Sequence, residues 1–222
     1  MTITEAMQTR HSVRQYTDKP LDTNVIAALQ EAIDACNKES GLHIQLVTNE
    51  PKAFDSLMAH YGKFSGVTDY IAMIGQKGPR LDELCGYYGE RLVLLAQQLG
   101  LNTCWVAMTY SKIKTAFTVC SGEKLCVVIA LGYGTTQGVP HKSKAVSAVA
   151  QEDGPTPDWF RRGVEAALLA PTAMNQQKFM FTRNGDQVSV KAGRGFYTKL
   201  DLGIVKYHFE LGAGETGWMW QD

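Results

Sequence analysis

The chain has 222 residues, with 22 Lys plus Arg against 22 Asp plus Glu, so its formal net charge is zero. Hydrophobic residues make up 45% and charged residues 20%, an ordinary globular balance with enough apolar material for a core. That balance, with no basic stripe, argues against nucleic acid as a partner, because binding a polyanion needs excess cationic charge.

The opening MTITEAMQTRHSVRQY has no apolar core, so no secretory signal is expected in it. Thr9 to Pro20 is polar and reads as loop. Asp22 is placed to cap a helix running to about Cys36, with Val25, Ile26, Leu29, Ala32 and Ile33 on one face. His43 to Thr48 reads as a strand, Pro51 to His60 as a short helix, and Tyr70 to Ile74 as a second strand. Leu81 to Leu99 carries the strongest helical signal. Leu84, Tyr88, Leu92, Leu95 and Leu99 fall at helical spacing, and Gly100 stops it. Thr103 to Ala107 and Cys126 to Leu131 are two more strands. The latter run falls far short of the ~20 apolar residues that cross a bilayer, so no membrane association is expected.

Gln137 to Pro157 reads as linker, and a helix follows it with Thr156 as cap and Pro157 at its first position. Lys178 to Thr182 and Gln187 to Lys191 are strands around Arg183-Asn184-Gly185-Asp186, where Asn-Gly is a hairpin signal. Leu200 to Leu211 is the last helix. The five cysteines, Cys36, Cys85, Cys104, Cys120 and Cys126, are odd in number and form no CxxC pair, which suits a reducing cytoplasm. The five histidines are scattered with no HExxH spacing, so no metal site is expected.

A faint repeat organises these elements. A shift of 134 residues (165 − 31 = 134) lays Glu31 on Glu165, Asp22 on Thr156, and HIQLVT on QKFMFT. The helix ending Leu99-Gly100 resembles the one ending Leu211-Gly212. The expected fold is α+β, a mainly antiparallel sheet flanked by helices with an internal pseudo-two-fold repeat. Residues 1–150 form the first half and 151–222 a shorter second half, intertwined in one unit.

Three stretches bear on chemistry. In Arg10-His11-Ser12-Val13-Arg14, an extended chain puts Arg10, Ser12 and Arg14 on one face, where two guanidiniums and a hydroxyl make a phosphate cradle. A solvated basic loop fits the same spacing. In Pro171-Thr172-Ala173-Met174-Asn175-Gln176-Gln177, amide side chains that donate and accept suit the edge of a flavin ring, although an ordinary helix C-terminal turn fits as well. Gly132 and Tyr133 close a strand, and Lys142 and Lys144 follow, either as further phosphate ligands or as solvated lysines.

Together, RHSVR, YGERLVLLAQQLGLNTCWVA, VVIALGYGTTQGVPHKSK and APTAMNQQKFMF resemble the nitroreductase family in order and spacing over most of the chain. The resemblance implies a nitroreductase-like fold and an FMN cofactor. Arg10, His11, Ser12 and Arg14, aided by Gly132, Tyr133, Lys142 and Lys144, would lie at its phosphate. Pro171, Thr172, Ala173, Asn175 and Gln177 would lie at its ring. Typical members build two such sites at a homodimer interface. Here the Arg-x-Ser-x-Arg motif occurs only in the first half and the Ala-Pro segment only in the second. With DLGIVKYHFELGA beginning at Asp201, that resembles a subgroup built as a pseudo-dimer in one polypeptide. One chain is therefore expected to form a complete site, and further self-association is compatible with it.

The implied activity is FMN-dependent transfer of reducing equivalents from NADH or NADPH to a nitroaromatic, quinone or similar oxidised organic acceptor by ping-pong hydride transfer. The flavin carries the chemistry, so no catalytic residue is named. The alternative is a non-enzymatic flavin-binding or interaction protein on a degenerate nitroreductase fold. Among the remaining residues, Trp105 and Phe179 read as core, and His208 as packed and hydrogen-bonded. Cys104 reads as a buried thiol with nothing nearby to lower its pKa. Trp218 and Trp220 cover either the core or a pocket.

Overall fold

The computed structural model describes residues 1–221. The chain divides into two units, Met1–Leu81 with Arg91–Pro140, and Asp82–Glu90 with His141–Asp222.

The first unit is built on a four-stranded sheet of order β1-β2-β4-β3, with every neighbouring pair antiparallel. The strands are β1 (Gln45–Val47), β2 (Asp69–Gln76), β3 (Asn102–Val106) and β4 (Glu123–Gly132). β2 is buried at every residue but its last, which is why it reads as a continuous apolar run rather than an alternating one. It pairs along its whole length with β4, from Asp69↔Leu131 to Gln76↔Glu123, with a register shift between Met73 and Ile74. Alternate residues share a face, so Tyr70, Cys104, Val106, Val128 and Ala130 form one cluster with Val13, Tyr16, Phe54 and Phe64.

The helices of this unit are α1 (Ile3–Thr9), α2 (Thr23–Ser40), α3 (Leu57–Tyr61) and part of α4 (Leu81–Gln98), of which Asp82–Glu90 belong to the second unit. α1 is an addition to the elements predicted from sequence. A reciprocal capping box nucleates it: Glu5 N donates to Thr2 Oγ1 at 3.2 Å and Thr2 N to Glu5 Oε2 at 2.8 Å. α2 begins where expected with Asp22 at its N-cap position, but the Asp22 side chain makes no cap hydrogen bond. The Asp22 carboxylate instead accepts from Lys19 Nζ at 3.3 Å and Tyr133 OH at 2.8 Å. The helix runs past Cys36 to Ser40, burying Leu29, Ile33 and Cys36.

The second unit carries the sheet β5-β6-β7-β8: β5 (Ala150–Glu152), β6 (Phe179–Asn184), β7 (Gln187–Ala192) and β8 (Met219–Trp220). β6 and β7 form the antiparallel hairpin that Asn184-Gly185 predicts, while β5 joins β6 and β8 joins β7 in parallel. β5 lies inside the stretch read as linker. α5 (Asp158–Ala167) starts just after Pro157, and Thr156 gives its hydroxyl to Glu152 rather than to the helix. α6 (Thr198–Ala213) crosses the first half of α4 so closely that glycine is needed on both sides. A Cβ on Gly86 would stand 2.0 Å from Leu200 O, and one on Gly203 2.0 Å from Glu83 O. Phe160, Phe181 and Phe209 fill the core, with Phe181 and Phe209 stacked at 4.7 Å.

Helix-then-strand order recurs, α2 then β1 and α5 then β6, but the helix ends differ. Gly100 follows α4 in a left-handed conformation at φ 82°, whereas Gly212 is interior to α6 and faces Arg162 O. No helix among the described residues is long and apolar enough to cross a membrane.

Candidate functional site

The segment after α1 is stitched into the first unit as an irregular strand. Val13 N donates to Thr103 O at 3.0 Å, Tyr16 N to Ser65 O at 3.0 Å, and Thr17 N to Tyr133 O at 2.8 Å. Arg14 O and Gln15 O accept from Ser65 N at 3.0 Å and Thr135 N at 2.9 Å. Gly66 permits this approach: its φ is +70°, and a Cβ there would stand 2.3 Å from Tyr16 O. Tyr16 is buried beneath the segment and gives its hydroxyl to Val13 O at 2.7 Å. Gly132 borders the Tyr16 ring, where a Cβ would meet Cδ1 at 3.0 Å, and His11 Cβ packs on Gly138.

Anchoring of Val13 and Tyr16 turns Ser12 and Arg14 outward; both are exposed, while Arg10, the C-cap residue of α1, is buried. All three act on one atom. Burial pushes the Cys104 thiol up, and Arg14, Ser12 and Arg10 each pull it back. Sequence reading placed nothing near Cys104; the cations reach it from the N-terminal segment, although burial remains the larger effect.

Arg14 also lines a cleft of about 410 Å³ with Tyr61, Lys63, Phe64, Trp105 and Thr109. Its guanidinium lies 5.9 Å from the Phe64 ring centroid. Two cations and no carboxylate line the cleft, so its walls favour an anion. Trp105, expected in the core, is half-buried on that wall. Lys63 had no local signal, because only the fold of the α3 loop brings it beside Arg14. Tyr133 is engaged nearby: Lys19 Nζ sits 3.8 Å from its ring centroid, and its hydroxyl goes to Asp22.

Pro171–Gln177 belongs to the second unit and is braced from within. Gln177 is buried; its Nε2 donates to Lys142 O at 2.7 Å and Asn175 Oδ1 at 2.7 Å, and its Oε1 accepts from Lys144 N at 2.8 Å. Lys144 Nζ donates to Gln176 O and Gln177 O, each at 2.9 Å. Asn175 Nδ2 donates to Lys142 O at 2.9 Å, and Thr172 Oγ1 accepts from Gln177 N at 3.1 Å. Five residues read as ring and phosphate ligands, Lys142, Lys144, Thr172, Asn175 and Gln177, thus hold one another. Beneath them Asp201, marked in the sequence only as the start of a family-like segment and not as a site residue, accepts from Ala173 N at 2.9 Å and Gln176 Nε2 at 2.8 Å. Burial pushes its carboxyl up to about 6, against those two hydrogen bonds.

His208 is fully buried as expected, with Nδ1 3.1 Å from Ala166 O and Nε2 2.9 Å from Glu90 Oε1. Trp218 and Trp220 pack on Phe209 at 5.1 and 5.3 Å, so they cover the core of the second unit.

The fold is that of the nitroreductases, an α+β arrangement with an antiparallel sheet flanked by helices. The chain belongs to the family described as "Putative TM nitroreductase", whose model matches residues 2–213. Among solved structures, a nitroreductase from Thermotoga maritima is similar, with 24% identity and a TM-score of 0.66 over 96% of this chain and 83% of that one. A Desulfovibrio desulfuricans nitroreductase solved in complex with FMN gives 19% identity and a TM-score of 0.54, over 70% and 99%. A Parabacteroides distasonis protein described as "Putative NADH dehydrogenase/NAD(P)H nitroreductase" gives 22% and 0.53, over 66% and 95%. No curated protein matches the chain.

Proposed function

We propose that this nitroreductase-family chain binds FMN and passes reducing equivalents from NADH or NADPH to a nitroaromatic, quinone or similar oxidised acceptor. The observation that carries the reading is the cationic wall of the first unit. Arg14 and Lys63 line one carboxylate-free cleft, with Ser12 exposed two residues away and Arg10 buried behind. That donor set fits a phosphate monoester: guanidiniums offer paired N–H donors and the ammonium a point charge.

In this reading Arg14 and Ser12 hold the FMN phosphate, and Arg10 adds positive potential from beneath. Trp105 and Phe64 offer flat apolar surface in the same cleft. Gln177, Asn175 and Lys144 act by fixing the shape of the Pro171–Gln177 segment and keeping its exposed edge in place. When bound, the flavin supplies the hydride chemistry. The chain supplies binding, orientation and a dry wall, and no side chain is assigned a proton-transfer role. The Arg-x-Ser-x-Arg pattern occurs once in the sequence, which supports one FMN per chain.

The test is a titration of the protein with FMN and with riboflavin, followed by NADH and NADPH oxidation. Charge-assisted contacts are typically worth about 1.5–3 kcal/mol each. Arg10→Ala with Arg14→Ala is then expected to weaken FMN binding by two orders of magnitude or more, with little change for riboflavin. Equal losses for both ligands refute the phosphate assignment. Protein that takes up no FMN refutes the whole reading, and a yellow protein inert to both nicotinamides makes it a flavin binder rather than an enzyme.

A further inference from the structure

A second cluster lies in the first unit, formed by residues far apart in sequence. His43, Cys120 and Glu123 each offer one ligand atom, and these atoms lie within 4.8 Å of one another. Their convergence has a structural cause. Cys120-Ser121-Gly122-Glu123 is a tight turn in which Glu123 N donates to Cys120 O at 3.0 Å, with Gly122 at φ 84° in the third position. A turn of that kind requires glycine there and brings its first and fourth residues side by side. Lys77 N donates to Gly122 O at 2.9 Å and pins the turn to the end of β2.

The third residue comes from the far side of β2. His43 N donates to Ile74 O at 2.8 Å, extending the pairing of β1 with β2, while Glu123 opens β4 on the other side. His43 Nδ1 reaches across to Glu123 Oε2 at 3.0 Å. Cys120 N also donates to that oxygen, at 2.7 Å, which fixes the carboxylate beside the turn. Gln45 clamps the approach to the turn, accepting from Thr118 N at 2.9 Å and donating to Thr118 O at 2.7 Å.

We propose that His43, Cys120 and Glu123 form a divalent transition-metal site of the zinc type. One thiolate, one carboxylate and one neutral imidazole carry two negative charges, which balance a dication. Nitrogen, sulfur and oxygen donors are the set zinc takes, and three protein ligands leave the fourth tetrahedral position to water. Tetrahedral zinc, with bonds of about 2.0–2.3 Å, places its ligands roughly 3.3–3.8 Å apart. His43 and Glu123 already stand near that separation, and Cys120, being exposed, closes the remainder by rotating its side chain. Binding removes the thiol proton, so affinity rises with pH. Such a cluster leaves no paired spacing within one segment, because it joins a turn to a strand edge across the sheet.

The experiment uses the full chain, stripped with a chelator and titrated with Co2+ alone, then with Zn2+ as competitor. One Co2+ per chain is expected, with a thiolate-to-cobalt charge-transfer band that Zn2+ abolishes. Cys120→Ser should remove the band, and His43→Ala and Glu123→Gln should each weaken binding at least about tenfold. Zn2+ should also protect Cys120 from iodoacetamide in the wild-type chain, a readout that needs no variant. If Cys120→Ser leaves affinity and spectrum unchanged, or if no stoichiometric binding occurs, the cluster is a salt-bridged turn and the proposal fails.

Discussion

The N-terminal segment around Ser12 and the Pro171–Gln177 segment carry the same kinds of polar residue, yet the protein uses them in opposite ways. In the first, backbone hydrogen bonds to Thr103, Ser65 and Thr135 do the holding, and the side chains of Ser12 and Arg14 are exposed. In the second, the side chains do the holding: Gln177, Asn175 and Lys144 bond to one another's segments. A segment fixed through its backbone keeps its functional groups for a ligand. One fixed through its side chains offers mainly backbone and shape. Composition alone does not separate the two cases, because both need residues rich in donors and acceptors.

The largest effect is expected where the first segment's backbone support is broken. Gly66→Ala forces a left-handed backbone on alanine and drives its Cβ into Tyr16 O, 2.3 Å from the ideal position. Strain and clash together are expected to cost about 3–4 kcal/mol. Urea unfolding of the apo-protein measures this. A loss below about 1 kcal/mol would mean that the Ser65–Tyr16 contacts are not what seats the segment.

Much of the fold was legible because its signals are local. The heptad-like leucines of α4, the apolar run of β2 and the Asn184-Gly185 hairpin each decide their element within a few residues. α1 was legible too, since Thr2-Ile3-Thr4-Glu5 is a capping-box pattern, but that stretch was read only for a leader. β5 was not: three residues, none of them fully buried, become a strand only because β6 offers an edge. The site divides in the same way. Ser12 and Arg14 could be named from two-residue spacing. Lys63, Trp105, the cations around Cys104 and the His43–Glu123 pair depend on contacts across the sheet, and no pattern within one segment records them.

The two units should also differ in acid. In the first, Glu5, Asp22, Glu39 and Glu123 are all held below their ordinary range, through hydrogen bonds from Thr2, Tyr133, Arg91 and His43 respectively. In the second, burial pushes Asp201 up to about 6 from 3.8. A depressed carboxyl stabilises the fold above its unfolded pKa and loses that contribution as pH falls. A raised carboxyl does the reverse: its contribution is complete below about pH 4 and is lost as pH rises through about 6. For Asp201 the full swing is about 3 kcal/mol at one pKa unit per 1.36 kcal/mol. Hydrogen exchange at pH 4.5 and 7 is expected to show the second unit's α6 amides gaining protection at the lower pH relative to β2. Asp201→Asn should flatten that difference; if it persists, another group is responsible.

The finest test of the comparison pairs one substitution from each segment. Gln177→Ala removes a buried side chain, leaves Lys144 N without its partner and leaves Lys142 O with Asn175 Nδ2 alone, which is expected to cost about 1–3 kcal/mol of stability. Any loss of FMN affinity should follow from that loosening and affect riboflavin equally. Ser12→Ala removes an exposed hydroxyl, so stability should stay within about 0.5 kcal/mol. Its effect should appear only with ligand, as a roughly tenfold weaker Kd for FMN and none for riboflavin. Isothermal titration with both ligands, beside urea unfolding of both apo-proteins, separates the four quantities. If Ser12→Ala destabilises the apo-protein as much as Gln177→Ala does, the hydroxyl serves the fold through its contact with Cys104, and the two segments are alike after all.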